Sequence, residues 1–365
     1  MISVQDILNE LQRIAPFEYQ ESYDNSGLIV GNPSQEVTGV LVALDCVEAV
    51  VEEAIAQKAN VIVTHHPIIF SGLKRLTGAN YVERTVLRAI ENKIALIAIH
   101  TNLDNDFYGV NHVIASKLGL QHQEILAPKS ATLFKIGVYV PETQAEIVRS
   151  AMTAAGAGAI GEYSDCSFTI TGEGRFKPSH FAKPHIGTAN NLEIVPEVRI
   201  EVTVPTHALG AVKSAMYQAH PYEEVAFDVL PLANHHDRIG SGMIGELAEP
   251  MDAMEFLKLV KVTFNAGVVR FTEPTKNQVQ RIAVCGGSGS FLLPAAKKCG
   301  ADVFITSDFK YHEFFDAEKQ LIIADIGHFE SEQYTSEWIV SILMKKFTTF
   351  AVRLTSVNTN PINYL

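Results

Sequence analysis

Residues 40–64 and 282–306 of this 365-residue chain carry one pattern twice, at a constant offset of 242 positions and without a gap. Val40 falls on Ile282, Ala54 on Ala296, Ala59 on Ala301, Val61 on Val303 and Thr64 on Thr306. Short unbroken aliphatic runs such as Val40–Leu44 and Val61–Thr64 are what strands buried on both faces look like, and a helix over Glu48–Lys58 joining them makes a parallel βαβ unit. A helix over 81–92 and a third apolar run, Ile94–Ile99, extend the first half, and Leu321–Ile326 takes the same place in the second. The repeat predicts an α/β fold of two related halves whose strand ends face one crevice. Ligands of open α/β sheets bind at those carboxyl ends.

The residues at these ends carry chemistry. Strand 61–64 runs into His65, His66 and Pro67, and the proline holds His66 extended. Neighbouring side chains on a strand point to opposite faces, so one ion takes both imidazoles only if the backbone leaves regular geometry after Thr64. A pair of metals, one histidine each, fits better. His235-His236 has the same spelling but sits among polar residues and reads as solvated. Strand 94–99 empties into His100 and Asp104, and strand 321–326 into Gly327, His328 and Glu332, which open an amphipathic helix carrying Tyr334, Trp338 and Ile342. An i, i+4 spacing puts His328 and Glu332 on one helical face. Acidic residues in a first helical turn also suit the helix dipole, which gives Glu330 and Glu332 a purely structural explanation, and Asp104 has one as a turn cap. Asp24 and Asn25 read as closing the turn before a strand at Leu28–Val30, and Ser3 as the cap of a helix over 3–14.

Taken together, His65, His66, Asp104, His328 and Glu332 lie at or just past the ends of core strands. Three imidazoles and two carboxylates without a thiolate favour zinc, manganese, iron, cobalt or nickel over calcium. One catalytic zinc uses three protein ligands and a water, so five donors fit two ions sharing a carboxylate. His100 reads as a supporting group that orients Asp104 or a bound water. Gly286, Gly287 and Ser288 join a strand to a helix; their amides could cradle an anion, or the segment is a plain tight turn without P-loop spacing. His312 reads either as a proton donor or as a helix cap.

Between the halves, strand 133–140, helix 142–155, strand 164–171, strand 193–204, helix 206–219 and strand 224–231 give the ferredoxin-like order βαββαβ, with its own repeat at offset 64. The expected organisation is a discontinuous core of residues 1–128 and 237–365 with an inserted ferredoxin-like domain at 129–236. In the insert, His220-Pro-Tyr-Glu-Glu reads as a helix stop leading into a strand. A formal charge of −12, spread without an acidic tail, argues against nucleic acid and anionic membranes. Four cysteines without C-x-x-C spacing, an N-terminus without a signal-like region and no apolar run of membrane-spanning length point to the reduced cytoplasm.

Thr64 to Pro67, His100 to Asp104, Thr306 to His312 and Gly327 to Glu332 resemble the signatures of the NIF-three-like dinuclear metal proteins, homologues of type-two GTP cyclohydrolase. The resemblance spans the whole chain, with Ser307 where glycine is common and Phe329 where tyrosine is. It implies that His65, His66, Asp104, His328 and Glu332 hold a metal pair, that subunits form a toroidal homohexamer, and that the insert is similar to signal-binding proteins of the P-II and copper-tolerance type. It also implies the activity, hydrolytic opening of the imidazole ring of a purine nucleotide with release of formate. The competing expectation is a non-catalytic, metal-loaded hexameric regulator whose insert binds a small ligand or a partner protein.

Overall fold

The structure, a computed structural model, describes residues 1–365. It separates into two compact units, Met1–Pro128 with Arg238–Leu365, and Lys129–Asp237. In the first unit, α1 (Val4–Ile14) starts at a capping box in which Ser3 and Asp6 satisfy each other's amides. The strands β1 (Gly27–Val30), β2 (Gly39–Ala43), β3 (Val61–Thr64) and β4 (Ala95–Ala98) are joined through α2 (Glu48–Ala56) and α3 (Tyr81–Glu91). They pair in the order β1-β4-β3-β2, parallel except for β1 at the edge. Then come α4 (Thr101–Asp104), α5 (Val110–Lys117) and β5 (Gln121–Pro128).

The second unit holds β6 (Leu133–Pro141), α6 (Ala145–Ala154), β7 (Phe168–Phe176), β8 (Glu193–Pro205), α7 (Leu209–Ala219) and β9 (Phe227–Pro231). Its antiparallel sheet has the order β7-β8-β6-β9, the ferredoxin-like arrangement, and one face packs on α6 and α7 through Ile136, Val138, Ile200, Val148 and Val212. Strand β7 lies about five residues further along the chain than its apolar run suggests. The ladder from Phe168↔Glu201 to Phe176↔Glu193 runs on through Gly172 and Gly174, past the expected end at 171.

Back in the first unit, β10 (Gly240–Asp252), α8 (Ala253–Thr263), β11 (Arg270–Phe271), β12 (Gln278–Ser288), α9 (Leu293–Lys298), β13 (Val303–Ser307) and β14 (Ile322–Asp325) precede α10 (His328–Glu332), α11 (Tyr334–Lys346) and β15 (Ala351–Leu354). Their sheet runs β11-β14-β13-β12-β10-β5, again three parallel strands with an antiparallel strand on the outer edge, while β15 crosses over to pair with β2. The repeat is visible in the register: Val40 pairs with Val61 and Ile282 with Val303, positions 242 apart in both cases. Alternate side chains divide between two layers, as the pleat requires. Val40, Val61, Ile97, Ile282, Val303 and Ile322 share one core with α1, α5, α8 and α11. Leu41 and Ile62 face α2 and α3 on the outside, and Phe304 and Ile323 face α9. On α11 the buried face is Thr335, Ser336, Ile339 and Leu343, one step round from the Tyr334, Trp338 and Ile342 stripe.

Ile62 is fully buried in the outer layer of the first half. Ile62→Ala should cost about 2–5 kcal/mol of unfolding free energy, measured by urea denaturation. A loss below about 1 kcal/mol would contradict this packing.

Candidate metal centre

Parallel strands align their carboxyl ends, and the ends of β3 and β4 in one sheet and of β14 in the other deliver cation-binding groups to one place. After Thr64 the chain does leave regular geometry: the His66 amide donates to the Leu44 carbonyl and the Thr64 hydroxyl to the His66 carbonyl. That turn brings the rings of His65 and His66 to a centroid separation of 4.9 Å. Asp104 closes α4, and His328 and Glu332 are the first and last residues of α10. His65 Nε2 lies 3.5 Å from Asp104 Oδ1 and 3.7 Å from Glu332 Oε1. On the other side of the same carboxylate, Glu332 Oε2 lies 3.0 Å from His66 Nε2 and 3.2 Å from His328 Nε2. The donor atoms of His66, His328 and Glu332 fall within 4.8 Å of one another, and so do those of His65, Asp104 and Glu332. Glu332 belongs to both groups.

Every ring is held from behind. His65 Nδ1 donates to the Ile99 carbonyl at 2.8 Å, His66 Nδ1 to Asp45 at 2.7 Å, His100 Nδ1 to Asp24 at 2.7 Å and His328 Nδ1 to Asp308 at 2.6 Å. A proton committed at Nδ1 leaves the Nε2 lone pair aimed at the centre, which is how metal-binding histidines are usually set. The atoms meeting there are then acceptors only. His65 Nε2, Asp104 Oδ1 and Glu332 Oε2 are buried with no hydrogen-bond partner. Five carboxylates converge with four imidazoles, and no lysine or arginine lines the cavity above them. Orphaned acceptors in a negative, buried cluster fit divalent cations.

The carboxylates also favour protons on the rings beside them. Burial works against a charged His66 ring, but Glu332 and Asp45 outweigh it and raise its pKa to about 10. For His328, burial is likewise overcome by Glu332 and Asp308, and the value rises to about 11. Burial also opposes ionisation of Glu332, yet His328, His66 and His65 hold its carboxyl well below the ordinary range. Burial pushes Asp104 up.

The glycine-rich segment works differently from an anion cradle. Strand β12 runs through Gly286 and Gly287 to Ser288, and the two glycine amides are already donated, to Asn111 Oδ1 and Ser331 Oγ. Gly287 has φ +61°, and a Cβ there would lie 2.4 Å from Glu332 Oε1, so the glycine is the space the carboxylate occupies. Gly286 and Ser288 do line the cavity. His312 does not. It is exposed, its ring against Tyr311 and Phe315 on a 3₁₀ turn, outside the cavity lining. The His100 ring does not bond the Asp104 carboxylate; the only link is from the Asp104 amide to the His100 carbonyl, while the ring binds Asp24 through Nδ1 and its other nitrogen clusters with those of His65 and His66. Asp24 therefore does more than close a turn: it also accepts from the Thr101 amide and hydroxyl at the start of α4. Asp45 and Asp308 carry no role in the sequence reading, although both follow core strands and the offset of 242 sets Asp308 at the repeat position of His66.

The cavity over the cluster has a volume of about 860 Å³, and Tyr23, Phe70 and Phe291 stand on its walls with more than half of each side chain exposed. Fold and site together define an α/β protein of two repeated halves that carries a buried histidine–carboxylate cluster suited to metal ions. The chain belongs to the family described as Duf34/NIF3 (NGG1p interacting factor 3), whose model matches residues 2–361. A Staphylococcus epidermidis protein named GTP cyclohydrolase 1 type 2 homolog is 34% identical over 367 residues, covering 100% of both chains. A Bacillus subtilis protein of the same name is 37% identical over 371 residues, covering 100% of this chain and 99% of its own. Among solved structures, a Bacillus cereus protein related to NIF3 is 37% identical, with a TM-score of 0.85 over 100% of this chain and 99% of that one.

Two outcomes follow from the geometry. Gly287→Ala should displace Glu332 and lower the metal retained per chain to under half the wild-type value by elemental analysis; full retention would show the carboxylate does not need that space. Adding zinc to metal-stripped protein at about pH 8 should release about two protons per chain into weak buffer, because His66 and His328 must both give up a proton to bind. Affinity should accordingly climb as pH rises through this range.

Proposed function

We propose that this protein is a dinuclear-metal-dependent hydrolase that opens the imidazole ring of a purine nucleotide and releases formate. The observation that carries the reading is Glu332, one buried carboxylate shared by two three-donor groups at the floor of a large cavity. Support for the substrate comes from the name that the homologues bear, GTP cyclohydrolase 1 type 2 homolog. In this proposal His65, Asp104 and Glu332 hold one ion, and His66, His328 and Glu332 the other. Bound there, divalent ions lower the pKa of water and stabilise negative charge developing on an attacked carbon's substituents.

The chain's own groups have distinct tasks. Tyr23, Phe70 and Phe291 offer flat faces against which a purine stacks. The pairs Asp45–His66 and Asp308–His328 keep their rings from rotating, so the donors are set before substrate arrives. The ring nitrogen that departs as an amine needs a proton, and His100 is the group suited to hold one at Nε2, with Asp24 behind its Nδ1. His312, outside the cavity, has no part in this scheme. The proposal extends to a cytoplasmic protein assembled as a homohexamer, with Lys129–Asp237 as a separate inserted domain. No helix is long and apolar enough to cross a membrane.

A second reading, a metal-holding regulator without turnover, draws on one observation: apart from His100, every histidine lining the cavity belongs to the two three-donor groups. Incubating metal-loaded protein with GTP separates the two. Formate should accumulate with the wild type and fall at least a hundredfold with His66→Ala and Glu332→Ala. Undetectable formate from protein carrying two ions per chain would leave the regulator.

A further inference from the structure

The motif His220-Pro-Tyr-Glu-Glu takes no part in the metal centre. His220 caps the end of α7 and is buried, with Nε2 donating to the Tyr139 carbonyl at 2.9 Å and Nδ1 accepting from the Tyr222 amide at 3.1 Å. Both ring nitrogens are spent on backbone, so the imidazole's task is to fix Tyr222. The Tyr222 hydroxyl in turn donates to Glu197 Oε1 at 2.9 Å. Glu223 accepts from the Lys183 amide, which ties the segment after β7 back to the same motif.

These groups surround a cavity of about 410 Å³ that lies wholly within Lys129–Asp237. Glu197 sits on its wall with 8% of its surface exposed, and no lysine or arginine nitrogen lies within 4 Å of its carboxylate. The only side-chain partner of this carboxylate is a neutral hydroxyl, which leaves it able to accept from a cationic donor. The local sequence is shaped to keep it there. A Cβ on Gly174 would lie 2.0 Å from Glu197 Oε2, so only glycine lets the carboxylate rest on β7. Around it stand aromatic faces: the ring of Phe176 is 5.8 Å from that of Tyr222, and the ring of His185 is 6.2 Å from it. Arg175 and Lys177 also line the cavity, but both are exposed, and Arg175 reaches toward Glu173.

We propose that this cavity is a binding site for a small organic cation, whose ammonium or guanidinium group pairs with Glu197 beside the edge-to-face pair of Phe176 and Tyr222. Aromatic faces beside a carboxylate recognise such groups through cation–π attraction and a charge-assisted hydrogen bond together. A metal ion is a poor occupant: no further histidine, cysteine or carboxylate joins Glu197 in a three-donor group, whereas such groups do form around Glu332 and His65. The volume suits a ligand of amino-acid side-chain size, at the small end for dedicated pockets. The site is independent of the hydrolase reading.

The test uses the full-length protein and calorimetric titration with n-butylamine, ethylguanidine and the neutral n-butanol. At least one of the cations should bind saturably and the alcohol should not. Glu197→Gln should weaken that binding at least tenfold, and Tyr222→Phe by a smaller factor, while metal content at the other unit stays at the wild-type level. The proposal is overturned if n-butanol binds as well as n-butylamine, if Glu197→Gln keeps wild-type affinity, or if neither cation gives saturable heat up to about 10 mM, a generous ceiling for ligands this small. The comparison of amine with alcohol needs only the wild type, so it decides the question even if a variant does not fold.

Discussion

One buried carboxylate governs the centre of this protein. Taking an ionised side chain out of water costs several kcal/mol unless charge and hydrogen bonds replace the lost hydration. Glu332, at 3% exposure, can be tolerated only because His65, His66 and His328 surround it. Those three histidines come from two different sheets, so the charge requires both halves of the repeat to be folded and aligned. The shared core of Val40, Ile97, Ile282 and Ile322 with the helices between them is the apolar counterpart of that requirement. Polar centre and apolar core thus demand the same geometry, which is the agreement between levels that marks a sequence with one native structure.

Around the centre, the support is built from carboxylates. Asp24, Asp45 and Asp308 each accept from the Nδ1 of one ring, and Asp24 and Asp45 are themselves held by Thr101 and Thr359. Thr359 belongs to the last residues of the chain, which also reach Glu330 through Asn360. The rigidity of the centre therefore draws on segments more than three hundred residues apart in sequence.

Much of this was legible in the sequence because it depended on period and position. Unbroken aliphatic runs, a helix between them and a gapless offset sufficed for the α/β halves, and residues at strand ends for the five clustered side chains. What stayed hidden depended on tertiary contact. Asp24 looked like a turn residue, since nothing local reveals that His100, seventy-six positions on, lies against it. Gly286 and Gly287 read either as an anion cradle or as a tight turn, because a glycine needed for close approach and a glycine needed for an open amide have the same spelling. His312 sat at a suggestive place in the repeat, but the turn after β13 carries it to the exterior. The displaced β7 has the same origin: its ladder continues through Gly172 and Gly174, and the need for glycine at 174 comes from the Glu197 side chain on the neighbouring strand, which lies where a Cβ would be.

The chain leaves the core at the end of β5 and re-enters it at the start of β10, and Pro128 and Gly240 are direct cross-strand neighbours in one antiparallel ladder. Two strand ends in that relation can be joined by a hairpin loop of about two to five residues. The intervening hundred or so residues are thus topologically optional: the ladder would close without them, and the halves that gather the histidines would keep their register. A sheet with such a junction can gain or lose a module in descent without rebuilding its centre, as a hinge plate accepts a different door.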